Sequence, residues 1–121
     1  MIHETAIVDK KAKISDNVVI GPYSIIGPHV KIEDGSEIQS HVILQGDTTI
    51  GKNTKIFPFA SIGTSPQDLK YSGEQTKLEI GNNNIIREYV TINIGTRGGG
   101  GITKIGNSNL IMIGAHIAHD C

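Results

Sequence analysis

The sequence predicts an all-β solenoid, a parallel β-helix of triangular coils built from hexapeptide repeats. Three observations predict it. Starting at Val8, every sixth residue is aliphatic for ten steps: Val8, Ile14, Ile20, Ile26, Ile32, Ile38, Leu44, Ile50, Ile56 and Ile62. The position two before each of these is small or β-branched throughout, as at Ala6, Val18, Ser24, Ser36, Thr48 and Ala60. The position after is often glycine, at Gly21, Gly27, Gly51, Gly63, Gly81 and Gly106. Val, Ile and Leu make up 32 of the 121 residues. Ten hits in a row in one phase therefore have odds of about one in a million.

Each hexad reads as a short strand and a corner. Residues i and i−2 of a strand share a face, so the large aliphatic and its smaller partner both point inward and the residue between them points out. Glycine then accepts the backbone angles of a tight corner. Pro22, Pro28 and Pro58 follow one position later. Three hexads close one coil of ~18 residues, and coils stack ~4.8 Å apart, the spacing of neighbouring strands. A β-sandwich does not account for the pattern, because its strands do not hold one phase across their turns.

The phase breaks twice. After Ile62 the in-phase positions Asp68 and Glu74 cannot fill a core unpaired. The beat returns at Ile80, Ile86 and Ile92. It then slips by one residue and resumes at Ile105, Ile111 and Ile117, past four consecutive glycines, Gly98 to Gly101, which have no place in a strand. Two external loops are expected, at about 64–77 and 94–104. Insertions in solenoids map to the outside, often to the binding face, so the two loops are expected to frame a site.

Composition narrows the function. One domain is expected at this length. A net charge of −1 with 19% charged residues gives no basic surface for nucleic acid. The single Cys121 excludes an internal disulfide framework and fits a reducing compartment, so a cytoplasmic protein is expected. The first residues carry no basic region or long apolar run typical of a signal peptide. No apolar stretch approaches ~18 residues, so no membrane span is expected.

The segment Ala115-His116-Ile117-Ala118-His119-Asp120-Cys121 is the densest candidate for chemistry. Ile117 is a core position, so His116 beside it should project outward, and His119 and Asp120 fall at the next corner. A histidine near a carboxylate can act as a general base near neutral pH. A surface turn that happens to contain His and Asp reads equally well from spacing alone. In the first loop, Gln67, Asp68 and Lys70 could hydrogen-bond sugar hydroxyls or a phosphate; a solvated loop is the alternative. No metal site is expected, since His3, His29 and His41 are scattered and no ligand spacing supports zinc. No phosphate-binding loop, dinucleotide fingerprint or serine nucleophile elbow is present.

Beyond the repeat, two stretches are distinctive: Pro66-Gln67-Asp68-Leu69-Lys70-Tyr71-Ser72-Gly73-Glu74 and the His116 to Cys121 segment. With Ile20-Gly21-Pro22-Tyr23, Ile26-Gly27-Pro28-His29-Val30 and Phe59-Ala60-Ser61-Ile62-Gly63, they make the chain resemble the N-terminal half of the UDP-N-acetylglucosamine 3-O-acyltransferases of lipid A biosynthesis. The resemblance covers all 121 residues. It implies a left-handed β-helix and a homotrimer with clefts between subunits. It implies transfer of a fatty acyl group, often 3-hydroxyacyl, from acyl carrier protein to the 3-hydroxyl of UDP-N-acetylglucosamine, without cofactor or metal. His119 is then the general base and Asp120 orients or polarises it. Asp68, Lys70, His116 and Gln67 line the substrate cleft.

Two departures follow from the same resemblance. Some members carry His where this chain has Asn93, and an amide cannot titrate. The family also continues with further coils and a C-terminal helical domain beyond the position of Cys121, so the 121-residue chain alone is expected to show little or no activity. The alternatives are the related N-acyltransferase acting on the 2-amino group, a coenzyme A-dependent sugar-nucleotide acetyltransferase, and a non-catalytic β-helical scaffold.

Overall fold

The computed structural model describes residues 1–64, 76–95 and 101–118. The first coil contributes β1 (Ile7–Val8), β2 (Lys13–Ile14) and β3 (Val19–Ile20). The second contributes β4 (Ile25–Ile26), β5 (Val30–Ile32) and β6 (Glu37–Ile38), and the third β7 (Ile43–Leu44), β8 (Asp47–Ile50) and β9 (Lys55–Ile56). The fourth holds β10 (Ser61–Thr64), β11 (Lys77–Ile80) and β12 (Ile85–Ile86). The fifth holds β13 (Thr91–Asn93), β14 (Ile102–Ile105) and β15 (Leu110–Ile111), and β16 (His116–Ile117) opens a sixth.

Every third strand joins one face. The first face runs β1-β4-β7-β10-β13-β16, the second β2-β5-β8-β11-β14 and the third β3-β6-β9-β12-β15. Among the described residues every pairing between strands is parallel. The fold is the expected left-handed parallel β-helix.

The six-residue beat is the core. Ile26 pairs with Leu44, Leu44 with Ile62, Ile62 with Ile92 and Ile92 with Ile117, so one face carries a column of like side chains. Ile32, Ile38, Leu44, Ile50, Ile56 and Ile62 are all fully buried. Identical side chains stacked at strand spacing fill each layer without voids, where a ring would break the layer thickness. The smaller i−2 partners are buried with them, including Val18, Val30, Val42 and Ala60. The polar ones are satisfied. Ser24 Oγ donates to the Gln39 carbonyl at 2.6 Å and accepts from the Val42 amide at 3.1 Å. Ser36 repeats this with Gly51 and Thr54.

The interruptions show in the register. Ile32 pairs with Ile50, 18 residues on, but Ile50 pairs with Ile80 and Ile62 with Ile92, an insertion of twelve. Ile80 pairs with Ile105 and Ile92 with Ile117, an insertion of seven. Both leave after a first-face strand and return at the following second-face strand, so both excursions use the same corner on consecutive coils.

The excursions are shorter than the expected ranges 64–77 and 94–104. Thr64 and Lys77 belong to strands, and so do residues 102–104. Ile94 and Gly95 are buried. Ile94 belongs to the core because it tucks beside Gly46, where a side chain would meet its Cγ2. Residues 65–75 and 96–100 lie outside the described residues.

The other two corners turn through left-handed backbone. Between the second and third faces the turning residues are Gly35, Asn53, Asn83 and Ser108, with φ of 76°, 52°, 59° and 57°. Between the third and first faces they are Gly114 after the fifth coil, with φ of 74°, and before it Tyr23, His41, Phe59 and Tyr89, with φ of 60°, 55°, 67° and 60°. These four rings form a continuous stack on the surface, with centroids 5.2, 5.0 and 5.4 Å apart.

Candidate functional site

The excursion corner is where the expected site should assemble, and its base is well defined. The two excursions are stitched together at their roots. The Ile94 amide donates to the Thr64 carbonyl at 3.1 Å, and the Gly95 amide to the Lys77 carbonyl at 3.1 Å. The Lys77 amide donates to the Gly101 carbonyl at 2.9 Å, and the Thr76 hydroxyl to the Gly95 carbonyl. Gly63 makes the departure possible. It sits at φ 81° in a register shift between Ile62 and Thr64, and a Cβ there would drive into the Gln45 carbonyl. The chain can bulge out at this point only without a side chain.

Asn93 is buried at 3% exposure in β13, directly before the second excursion. Its place under the loop roots suits an amide, which can donate and accept at once.

His116 is the one expected site residue among the described residues. It is exposed, as the alternation around core Ile117 requires. Its partner is Thr91, the residue paired with it in register on the previous coil. Thr91 Oγ1 and His116 Nδ1 are 2.7 Å apart. One ring nitrogen is thus engaged. His119, Asp120, Gln67, Asp68 and Lys70 lie outside the described residues, as does Cys121. His116 stands in β16, the last of three successive first-face strands that lead into the excursion corner, and His119 and Asp120 follow it in the chain.

Thr91 was not among the residues singled out from sequence, although a signal exists. Ile92 and Ile117 are both core positions 25 residues apart, so Thr91 and His116, each one residue earlier, must be neighbours on the outer surface. Reading it requires matching core positions across the slip rather than counting sixes. Among the described residues no group of three or more His, Cys, Asp or Glu side chains could hold a metal ion. No helix among them is long and apolar enough to cross a membrane.

Residues 2–65 match the family model described as the GMPPB C-terminal domain. The chain is 55% identical over 120 residues to the acyl-[acyl-carrier-protein]--UDP-N-acetylglucosamine O-acyltransferase of Rickettsia peacockii, covering 99% of this chain and 46% of the relative. Against the protein of the same name from Thermodesulfovibrio yellowstonii the identity is 58%, with the same coverage. Among solved structures, LpxA from Acinetobacter baumannii superimposes with a TM-score of 0.98 at 56% identity, over 99% of this chain and 46% of that one. The chain thus spans about half the length of the relatives it matches. Over nearly its whole length it is similar to about half of the UDP-N-acetylglucosamine O-acyltransferases, and through residues 2–65 it belongs to the GMPPB C-terminal domain family.

Proposed function

We propose that this chain is the β-helical half of an O-acyltransferase that moves a fatty acyl group, often 3-hydroxyacyl, from acyl carrier protein to the 3-hydroxyl of UDP-N-acetylglucosamine, the first step of lipid A synthesis. The observation that carries the reading is the 55% identity to a protein of that named activity across 120 residues, which include both the Gln67-Asp68-Leu69-Lys70 and the His116 to Asp120 segments.

The chemistry needs little equipment. A sugar hydroxyl is too weak an acid to attack a thioester unaided. His119 takes its proton as the oxygen bonds to the acyl carbonyl carbon. The tetrahedral oxyanion is held by a backbone N–H donor. Its collapse breaks the carbon–sulfur bond, and the carrier thiolate leaves with the proton returned by the imidazolium. Asp120 orients the ring and favours its charged form. Asp68, Lys70, His116 and Gln67 line the cleft for the sugar nucleotide and acyl chain. The reaction as written uses no metal and no cofactor. The protein works in the cytoplasm as a homotrimer, with clefts formed between subunits.

The test is a chimera in which residues 1–121 replace the matching half of the Thermodesulfovibrio relative. Acyl transfer to UDP-N-acetylglucosamine is expected, with little or no turnover by the 121-residue chain alone. His119→Ala in the chimera should lower turnover by about 100-fold or more, the usual worth of a positioned base, while the trimer persists in sedimentation. Normal acylation by His119→Ala removes the base assignment. Transfer to the 2-amino group of an O-acylated acceptor, or from acetyl-coenzyme A, would favour the related N-acyltransferase or acetyltransferase.

A further inference from the structure

We infer that Thr91 is a positioning residue for His116, and that its hydroxyl selects the imidazole tautomer that turns Nε2–H toward a ligand oxygen. The identity of that ligand, a sugar nucleotide, rests on the O-acyltransferase reading; the positioning does not.

The outer surface of the first face changes character along its length. Its outward residues in the first three coils are Ile7, Ile25 and Ile43, exposed at 65%, 43% and 38%. Ser61 follows in register with Ile43, Thr91 with Ser61, and His116 with Thr91. Hydrogen-bonding side chains therefore begin on the strand from which the first excursion departs and continue to the strand that carries His116. The described strands of this face put polar side chains outward only on the coils that carry the excursions or follow them.

Parallel pairing sets Thr91 and His116 side by side, with Oγ1 2.7 Å from Nδ1. Threonine is suited to the task because its branched Cβ restricts χ1, so the hydroxyl stays where the backbone puts it. A neutral imidazole has one donor and one acceptor nitrogen, and the partner of one nitrogen decides the role of the other. When the Thr91 hydroxyl donates to Nδ1, the ring proton resides on Nε2. On the imidazole ring that N–H is directed away from Thr91, as a donor. Sugar hydroxyls and phosphate oxygens accept hydrogen bonds, and a donor is what they need from this position.

The tautomer is read by nitrogen-15 NMR of His116 in the protein with the imidazole neutral. The wild type and Thr91→Ser should carry the proton on Nε2, and Thr91→Val should show a mixture. Valine is nearly isosteric with threonine on an outer surface, and the thermal midpoint verifies that the variant is folded. In the acyl-transfer chimera, Thr91→Val should raise KM for the sugar nucleotide by about 3- to 10-fold, the range expected for one lost hydrogen bond. Turnover should stay within twofold, and Thr91→Ser should restore KM. A wild-type ring protonated on Nδ1, or an unchanged tautomer in Thr91→Val, overturns the positioning. A tautomer shift with unchanged KM overturns the ligand contact. If the chimera transfers no acyl group in any form, the O-acyltransferase reading fails, while the tautomer measurement still decides the role of Thr91.

Discussion

Two corners of the prism solve the same backbone problem with different chemistry. Both turn through left-handed φ on at least four successive coils. Between the second and third faces the turn falls on Gly35, Asn53, Asn83 and Ser108, mostly residues that visit this region cheaply. Side-chain amides then lace the coils together. Asn82 Oδ1 accepts from the Lys52 amide at 2.8 Å, and Asn107 Oδ1 from the Asn82 amide at 2.7 Å. Asn84 reaches both ways, donating to the Gly106 carbonyl and accepting from the Asn109 amide.

Between the third and first faces the turn falls on Tyr23, His41, Phe59 and Tyr89, for which left-handed backbone costs about 1 kcal/mol or more each. Three successive ring contacts return about 0.5–1.5 kcal/mol apiece. Stacking therefore returns about 1.5–4.5 kcal/mol against about 4 kcal/mol or more of strain and offsets part of it. The contrast shows that a repeat fixes the backbone of a corner while leaving its side-chain chemistry open. One corner is stitched by side-chain amides, of which Asn84 is buried, the other by rings that stay half exposed, at 61%, 50% and 62% for Tyr23, Phe59 and Tyr89.

The largest effect is expected where the amide-laced corner closes most tightly. A Cβ on Gly51 would collide with the Gly81 carbonyl of the next coil. Gly51→Val should cost about 3 kcal/mol, read as a lowered urea midpoint, because backbone cannot yield as a side-chain tip can. A neutral result would show that this corner is looser than the ring-stacked one.

Next comes the ring stack. Phe59 touches both His41 and Tyr89, so Phe59→Ala should lose about 1–2 kcal/mol while keeping the left-handed strain. Phe59→Asn should recover part of that loss, since asparagine tolerates this conformation. Equal losses for both variants would separate the strain from the stacking account.

The smallest effect lies beside that corner. Arg87 Nε donates to Glu88 Oε1 at 2.9 Å while its guanidinium lies 4.5 Å from the centroid of the Phe57 ring. The hydrogen bond from Arg87 holds the Glu88 carboxyl below its usual range. A depressed carboxyl contributes stability at neutral pH and loses it as pH falls through the folded-state value. The two side chains keep 36% and 31% of their surface in water, enough for screening, so Glu88→Gln should lower the midpoint near the limit of detection at pH 7, with no difference left in acid. A difference that grows toward acid would contradict this.

Much of the fold was legible because its core is periodic. Ile20 through Ile62 obey one rule, and each is buried at its expected place. The small partners were legible for the same reason. Ile94 was not, since its burial depends on the empty space at Gly46 on another coil, which no local pattern records. The ring stack was missed as well. Tyr23, His41, Phe59 and Tyr89 differ in type, and the last spacing is stretched by the twelve-residue insertion. At the candidate site, the outward projection of His116 followed from Ile117, but its bond to Thr91 spans the slip of seven. The roles proposed for His119, Asp120, Gln67, Asp68 and Lys70 rest on the resemblance alone, because those residues are not among the described ones.

The two insertions, of twelve and seven residues, carry a lesson about inheritance. One is a multiple of the repeat and the other is not, yet both return their coils to the same columns of aliphatic side chains. The scaffold counts corners, and residues between a departure and its return go uncounted. Selection can therefore lengthen, shorten or rewrite what leaves that edge without renegotiating the interior, provided Gly63 and the stitched roots remain. New binding properties can be tried at this edge while the columns of the interior keep their pairing.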